Sequence, residues 1–168
     1  MTGELLDNRE LISSIFLFAG IILHLLNKKD IWSWFMSYCP LLVIGFWGLV
    51  NQLLVVDYLN FLAVNIFILA WFFIVNRNNW GLNLNILGAM TNLVIMWTNG
   101  GRMPFLPGFG AEDSSYSSIR PDTNLSFFAD TIFVGHYLMS PGDIFIHLGA
   151  MIFFLVQLGI FLKKKVAF

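Results

Sequence analysis

The side chains best suited to bind or react fall mainly between Thr98 and Ser140 and just beyond: Arg102, Asp122, Asp130, His136 and Asp143. A guanidinium stays charged and offers five donors, so Arg102 can hold a phosphate, a helix C-terminus or a carboxylate. A paired charge is cheaper to place near lipid than a lone one. Asp122, Asp130 and Asp143 are therefore the preferred partners, and the expectation is an Arg102–carboxylate clamp. Read as an enzyme site, the same five residues match no nucleophile–base or acid–base arrangement, and the balance favours a protein without catalysis.

Metal chemistry finds equally little support. The histidines are His24, His136 and His147. Placed on helices, His24 and His147 sit ~20 Å and ~6 Å from the same face of a membrane, too different in depth to share a haem. The lone Cys39 cannot form an internal disulfide and stands in an apolar, aromatic setting that suits a small buried side chain. Neither a metal nor a cofactor is expected. A second set of polar residues, Asn51, Gln52, Asn65, Asn92 and His147, lies inside apolar runs at related depths. Interhelical hydrogen bonds explain these residues most simply. A polar pocket beneath the Arg102 loop is the sharper alternative.

The elements that must position these residues are helices. Apolar residues make up 58% of the 168 and charged residues only 11%, against about 25% charged in a soluble domain. Such a chain has too little polar surface to face water alone. Continuous apolar runs without period-two alternation exclude a β-barrel. Five transmembrane helices are expected, over about 11–26, 32–55, 58–75, 80–97 and 141–162, in an all-α membrane protein forming a single domain over 1–168. Lys28, Lys29, Arg77 and Lys163 to Lys165 then fall on one side and Arg9, Arg102 and Arg120 on the other. This distribution places the N-terminus outside and the C-terminus in the cytoplasm. No basic residue precedes the first apolar run apart from Arg9, which Glu4, Asp7 and Glu10 outweigh, so that run is read as a retained helix and not a signal peptide.

The connection over 98–140 is then extracytoplasmic. Gly100 and Gly101 suit a helix C-cap and tight turn. Ala111 to Ser118 is polar and serine-rich, and is expected to be mobile. Leu125 to Val134 is apolar enough for a short interfacial or re-entrant helix. Ser140-Pro141-Gly142-Asp143 reads as a helix start. It offers Ser140 as N-cap, proline at the first helical position, and Asp143 three residues on to close a capping box.

Three of these patches, Asn99-Gly100-Gly101-Arg102-Met103-Pro104, Thr123 to Asp130 and Ser140-Pro141-Gly142-Asp143, resemble the signature patches of a family of small bacterial multi-pass membrane proteins, domain of unknown function 5317. The likeness is concentrated in the C-terminal half. It implies an integral protein of the bacterial plasma membrane and supplies no activity.

Function is open at this level. Small size, strong apolarity and the lack of a catalytic set favour an accessory or structural subunit of a larger membrane assembly, with lipids and other membrane subunits as partners. The alternative is a small membrane protein that binds or transports an apolar or lipid-like ligand through the outer-half polar pocket. A nucleic-acid partner is excluded by the absence of a basic face with reachable aromatics. The lack of any acidic residue in the middle of a span argues against a proton-driven carrier.

Overall fold

The computed structural model describes residues 8–27, 58–109, 116–135 and 137–166. Four α-helices stand among them: α1 (Asn8–Asn27), α2 (Tyr58–Val75), α3 (Trp80–Thr98) and α4 (Pro141–Val166). Between α3 and α4 the chain forms a small β cap. Its strands are β1 (Met103–Phe105), β2 (Tyr116–Ser118), β3 (Ile132–Val134) and β4 (Tyr137–Met139), with a 3-10 turn at Ser126–Phe128.

The expectation of five membrane spans is overturned. Only α4, with 26 residues, is long and apolar enough to cross a membrane among the described residues, at ~39 Å of helix against a hydrocarbon core of ~30 Å. In α1 and α2 the apolar parts shrink to Ser14–Asn27 and Leu62–Val75, each ~21 Å long and short of that thickness. Polar residues interrupt α3: Asn83, Asn85, Thr91 and Asn92 dilute its apolar character. The run over 32–55, with Asn51 and Gln52, lies outside the described residues. The multi-pass localisation with an outside N-terminus and a cytoplasmic C-terminus falls with the five spans. The sorting of basic residues onto two sides presupposed five crossings, and a single qualifying helix assigns neither terminus to a side.

The helices pack through residues that bring backbones together. Helix α4 lies against α3 on one side and α1 on another, and α2 packs on α3. Gly81 and Gly88 of α3, seven residues apart, face Gly149 and Gly142 of α4 with the same spacing in antiparallel order. A Cβ at Gly81 would meet the Phe153 Cα at 2.7 Å, and one at Gly88 would meet the Ile146 amide nitrogen at 2.8 Å. Real side chains do not tolerate such distances, so this seam requires glycine. Asn85 sits between the two α3 glycines and donates from Nδ2 to the Ile146 carbonyl at 2.8 Å. Around the seam, Phe72, Leu82, Ile86 and Phe153 form the buried core, with Leu17, Ile21, Leu69 and Met90 packed on it.

At the end of the bundle away from the cap, Asn27 donates from Nδ2 to the Gln157 carbonyl at 3.1 Å and to Gln157 Oε1 at 3.3 Å. Gln157 is almost wholly buried, and these bonds hold α1 alongside α4. Lys164 Nζ donates to the backbone carbonyl of Asn27. A cation at the carbonyl end of α1 offsets the negative end of its dipole.

The cap is more ordered than a free loop. Strands β1 and β2 pair in parallel, with Met103, Pro104 and Phe105 opposite Tyr116, Ser117 and Ser118. On the other edge of β1, Asp130 donates its amide to the Pro104 carbonyl at 2.9 Å, and its carbonyl accepts from Leu106 at 3.0 Å. Strands β3 and β4 form an antiparallel hairpin. Thus Tyr116 to Ser118, expected to be mobile, is a strand. The apolar run at Leu125 to Val134 is one 3-10 turn followed by a strand rather than a membrane-surface or re-entrant α-helix. Met103, Phe105, Ala129 and Met139 are the buried residues of the cap, whereas Leu125, Phe127, Phe133 and Val134 stay exposed.

Candidate functional site

Two polar constellations form where α3 ends and α4 begins. In the first, Ser140 caps α4. Its Oγ accepts from the Asp143 amide at 2.9 Å, and its own amide donates to Asp143 Oδ2 at 3.0 Å. This is the capping box that the Ser-Pro-Gly-Asp order predicts. Asn92 of α3 closes it from across the seam. Asn92 Oδ1 accepts from Ser140 Oγ at 2.9 Å, and Asn92 Nδ2 donates to Asp143 Oδ1 at 2.7 Å. The short second bond is charge-assisted.

Gly142 makes the approach possible. A Cβ there would meet the Asn92 side-chain carbon and the Gly88 carbonyl oxygen, each at 2.8 Å. His147 stands one turn further along α4, with Nδ1 at 2.7 Å from the Asp143 carbonyl. A carbonyl only accepts, so Nδ1 carries a proton. Nε2 is buried and without a hydrogen-bond partner among the described residues. This constellation joins two helices and engages both oxygens of Asp143. It is a latch, and Arg102 has no part in it.

The second constellation is an open cleft of about 470 Å³ at the C-terminal end of α3. It is lined by Thr98, Asn99, Gly100 and Arg102 from the helix end, Ser117 and Ser118 from β2, and Arg120, Asp122, Thr123 and Asn124 from the loop that follows. Local hydrogen bonds fix its floor. Helix α3 ends in a Schellman-type arrangement: Gly100 and Gly101 adopt φ of 66° and 87°, and the Gly101 amide bonds back to the Met96 carbonyl at 2.7 Å.

Asn99 then ties that end to the loop. Its Nδ2 donates to the Ile95 carbonyl at 2.8 Å and to the Asn124 carbonyl at 2.9 Å, while its Oδ1 accepts from the Asn124 amide at 2.9 Å. Asn124 replies by donating from Nδ2 to the Thr98 carbonyl at 2.9 Å. The turn at Arg120 to Thr123 is held in both directions. The Thr123 amide donates to the Arg120 carbonyl at 3.0 Å, and the Arg120 amide donates to Thr123 Oγ1 at 2.8 Å.

The residues singled out from sequence distribute unevenly over these features. Arg102 and Asp122 line the cleft; Asp130 is buried in the β cap and Asp143 belongs to the latch. His136 lies outside the described residues. Arg102 is exposed and forms no ion pair among the described residues, so the carboxylate clamp is not formed there. Of the polar set, Asn92 and His147 meet at Asp143, whereas Asn65 is buried on α2.

Sequence reasoning missed Arg120, Asn99 and Asn124 as parts of a site. Asn99 and Asn124 both fall within the patches that carried the family resemblance, and that was the signal available. Among the described residues no three of His, Cys, Asp and Glu gather in a way that could hold a metal ion.

No curated protein and no solved structure matches the chain. A family description does match, over residues 6–156, which takes in the latch, the cleft and all four helices up to the last third of α4. The chain therefore belongs to the DUF5317 family, a family of unknown function.

Proposed function

We propose that the protein is a membrane-associated binding protein, held in a bilayer by α4, whose cap takes a polar ligand in the cleft at the end of α3. The observation that carries this reading is the cleft itself. Its volume of about 470 Å³ falls in the range of small-molecule sites. Its floor is fixed by the reciprocal Asn99–Asn124 bonds, and a pre-organised site spends less of its binding energy on ordering.

The character of α4 supports the anchor. Only 22% of its most apolar window is buried within the protein, and Leu148, Met151, Leu155, Val156 and Leu162 are exposed. A core helix of a soluble protein would be covered. The experiment is fractionation of cells expressing the full chain, followed by a ligand screen on the detergent-solubilised protein. Loss of the protein from the membrane fraction when Leu155 and Val156 are both changed to Asp supports the anchor. Recovery of wild-type protein in the soluble fraction refutes it.

An accessory role in a larger membrane assembly is the second reading. It is supported by the exposed stripe of Ile15, Phe18, Ile22 and Leu26 on α1, spaced along one helix face. Crosslinking in intact membranes from positions 15, 18 and 22 tests it, with specific adducts to another membrane protein as the expected result.

A further inference from the structure

We infer that the cleft at the end of α3 is an anion site for a phosphate-bearing ligand, gripped by Arg102 and Arg120. This rests on the cleft being a binding site, and it specifies the ligand's chemistry.

Charge points to an anion. Two guanidinium groups line the cleft beside the carboxylate of Asp122, and Arg102 is exposed and forms no ion pair among the described residues. The C-terminus of α3 would oppose an anion through its dipole. Three of its last four carbonyls are already engaged, however: Ile95 and Met96 by Asn99 and Gly101, and Thr98 by Asn124. Their negative ends therefore do not face the cleft unpaired. Planar guanidinium forks match the oxygens of a phosphate and remain charged at any physiological pH. Ser117, Ser118 and Thr123 add hydroxyl-bearing residues to the same wall.

Size then selects within the anions. An open cleft of about 470 Å³ is far larger than a bare phosphate and admits a phosphate ester with a polar organic group.

Position favours a lipid headgroup as the source. The latch fixes Asn92 level with the first turn of α4, and Thr98 lies ~9 Å further along α3. A headgroup layer is ~5–8 Å thick on each side of the hydrocarbon. With α4 in a bilayer, the cleft lies within or just above that layer. Exposed aromatics on the same cap, Phe109, Phe127, Phe133 and Tyr137, suit such a surface.

The test uses the full chain in dodecyl maltoside, which carries no phosphate. Isothermal titration calorimetry would measure inorganic phosphate, glycerol 3-phosphate and dihexanoylphosphatidylglycerol, with acetate and glycerol as comparisons, on wild type and on Arg102→Gln, Arg120→Gln and Arg102→Lys. Phosphate esters are expected to bind about tenfold or more weakly to either glutamine variant, with partial recovery in Arg102→Lys. Equal binding of glycerol 3-phosphate and the short-chain lipid identifies a free phosphate ester as the source; tenfold tighter binding of the lipid identifies a headgroup. Binding of acetate or glycerol, lost in the variants, without binding of any phosphate compound overturns the phosphate assignment and leaves the cleft as a site. Binding of none of them, or binding that both glutamine variants leave unchanged, overturns the assignment and the cleft together. Because Arg102 forms no ion pair among the described residues, Arg102→Gln should unfold at the wild-type temperature, which separates lost binding from lost folding.

Discussion

Replacing Asn92 with alanine removes the centre of the latch, and the cost can be worked from its bonds. The change deletes the acceptor of the Ser140 hydroxyl and the donor to Asp143 Oδ1, at 2.9 and 2.7 Å. Ser140 has 0% exposure, so water cannot replace its lost acceptor. A buried hydroxyl left unsatisfied costs about 1–3 kcal/mol. The Asp143 carboxylate is only half-buried and still accepts from the Ser140 amide. Its lost charge-assisted bond should cost no more than about 1–2 kcal/mol once rehydration is allowed for.

A total of roughly 2–4 kcal/mol follows, equivalent to a fall in Tm of about 5–15 °C for a chain of this size. The assay is thermal unfolding of the detergent-solubilised full chain, followed by circular dichroism. A double-mutant cycle with Ser140→Ala should show coupling of about 1 kcal/mol or more, because each residue satisfies the other. Thr91→Ala, one residue away, is the control: among the described residues Thr91 bonds within its own helix, from Oγ1 to the Leu87 carbonyl at 2.8 Å. If Asn92→Ala unfolds within ~2 °C of wild type and the cycle is additive, the latch does not hold the helices together and the reasoning fails.

Other substitutions probe different parts of the fold by the same unfolding assay. Gly142→Ala and Gly149→Ala should each destabilise by about 1–3 kcal/mol or more, since a new methyl meets backbone or the Asn92 side chain. Gly159→Ala, with nothing within 4 Å of a new Cβ, should instead stabilise α4 by up to ~1 kcal/mol. Leu125→Gly should stabilise by about 0.5–1 kcal/mol, because Leu125 holds φ of 52°, where a branched side chain is strained, and it is not a buried residue. Asn99→Ala should lower the Tm by several degrees and also weaken ligand binding in the calorimetric titration, because it frees both the end of α3 and the loop at Asn124.

How much of this was legible in the sequence depended on how local the determinant was. The start of α4 could be read because Ser140, Pro141 and Asp143 act on one another within four residues. The glycine cap of α3 could be read for the same reason. The seam could not: the pairing of Gly81 with Gly149 and of Gly88 with Gly142, across a connection of some forty residues, depends on register. Asn92 and His147 were grouped by depth along assumed spans. What joins them is a common partner, Asp143, two positions into α4.

The β cap escaped notice because its strands are three residues long and β1 contains a proline, so neither has the length to show alternation. Counting five spans failed for another reason. Apolar runs were taken as spans without weighing their length and interruptions, whereas the apolar segments of α1 and α2 are too short to cross and asparagines break up α3.

The glycine seam also constrains how such a chain can change over time. Where two backbones touch, neither helix can accept a larger residue alone. The opposite position has no side chain to trim in compensation, and the nearest atoms are peptide groups. Position 81 is bound in this way to 149 and 153, and position 88 to 142 and 146. Drift should therefore be abrupt and paired along this line: residues on α3 and α4 stay fixed together, or shift together with a change in helix spacing. Exposed positions such as Leu148, Leu155 and Leu162, away from this line, are free to exchange one apolar residue for another. Among relatives, the two helices should look like one invariant line drawn through an otherwise variable surface.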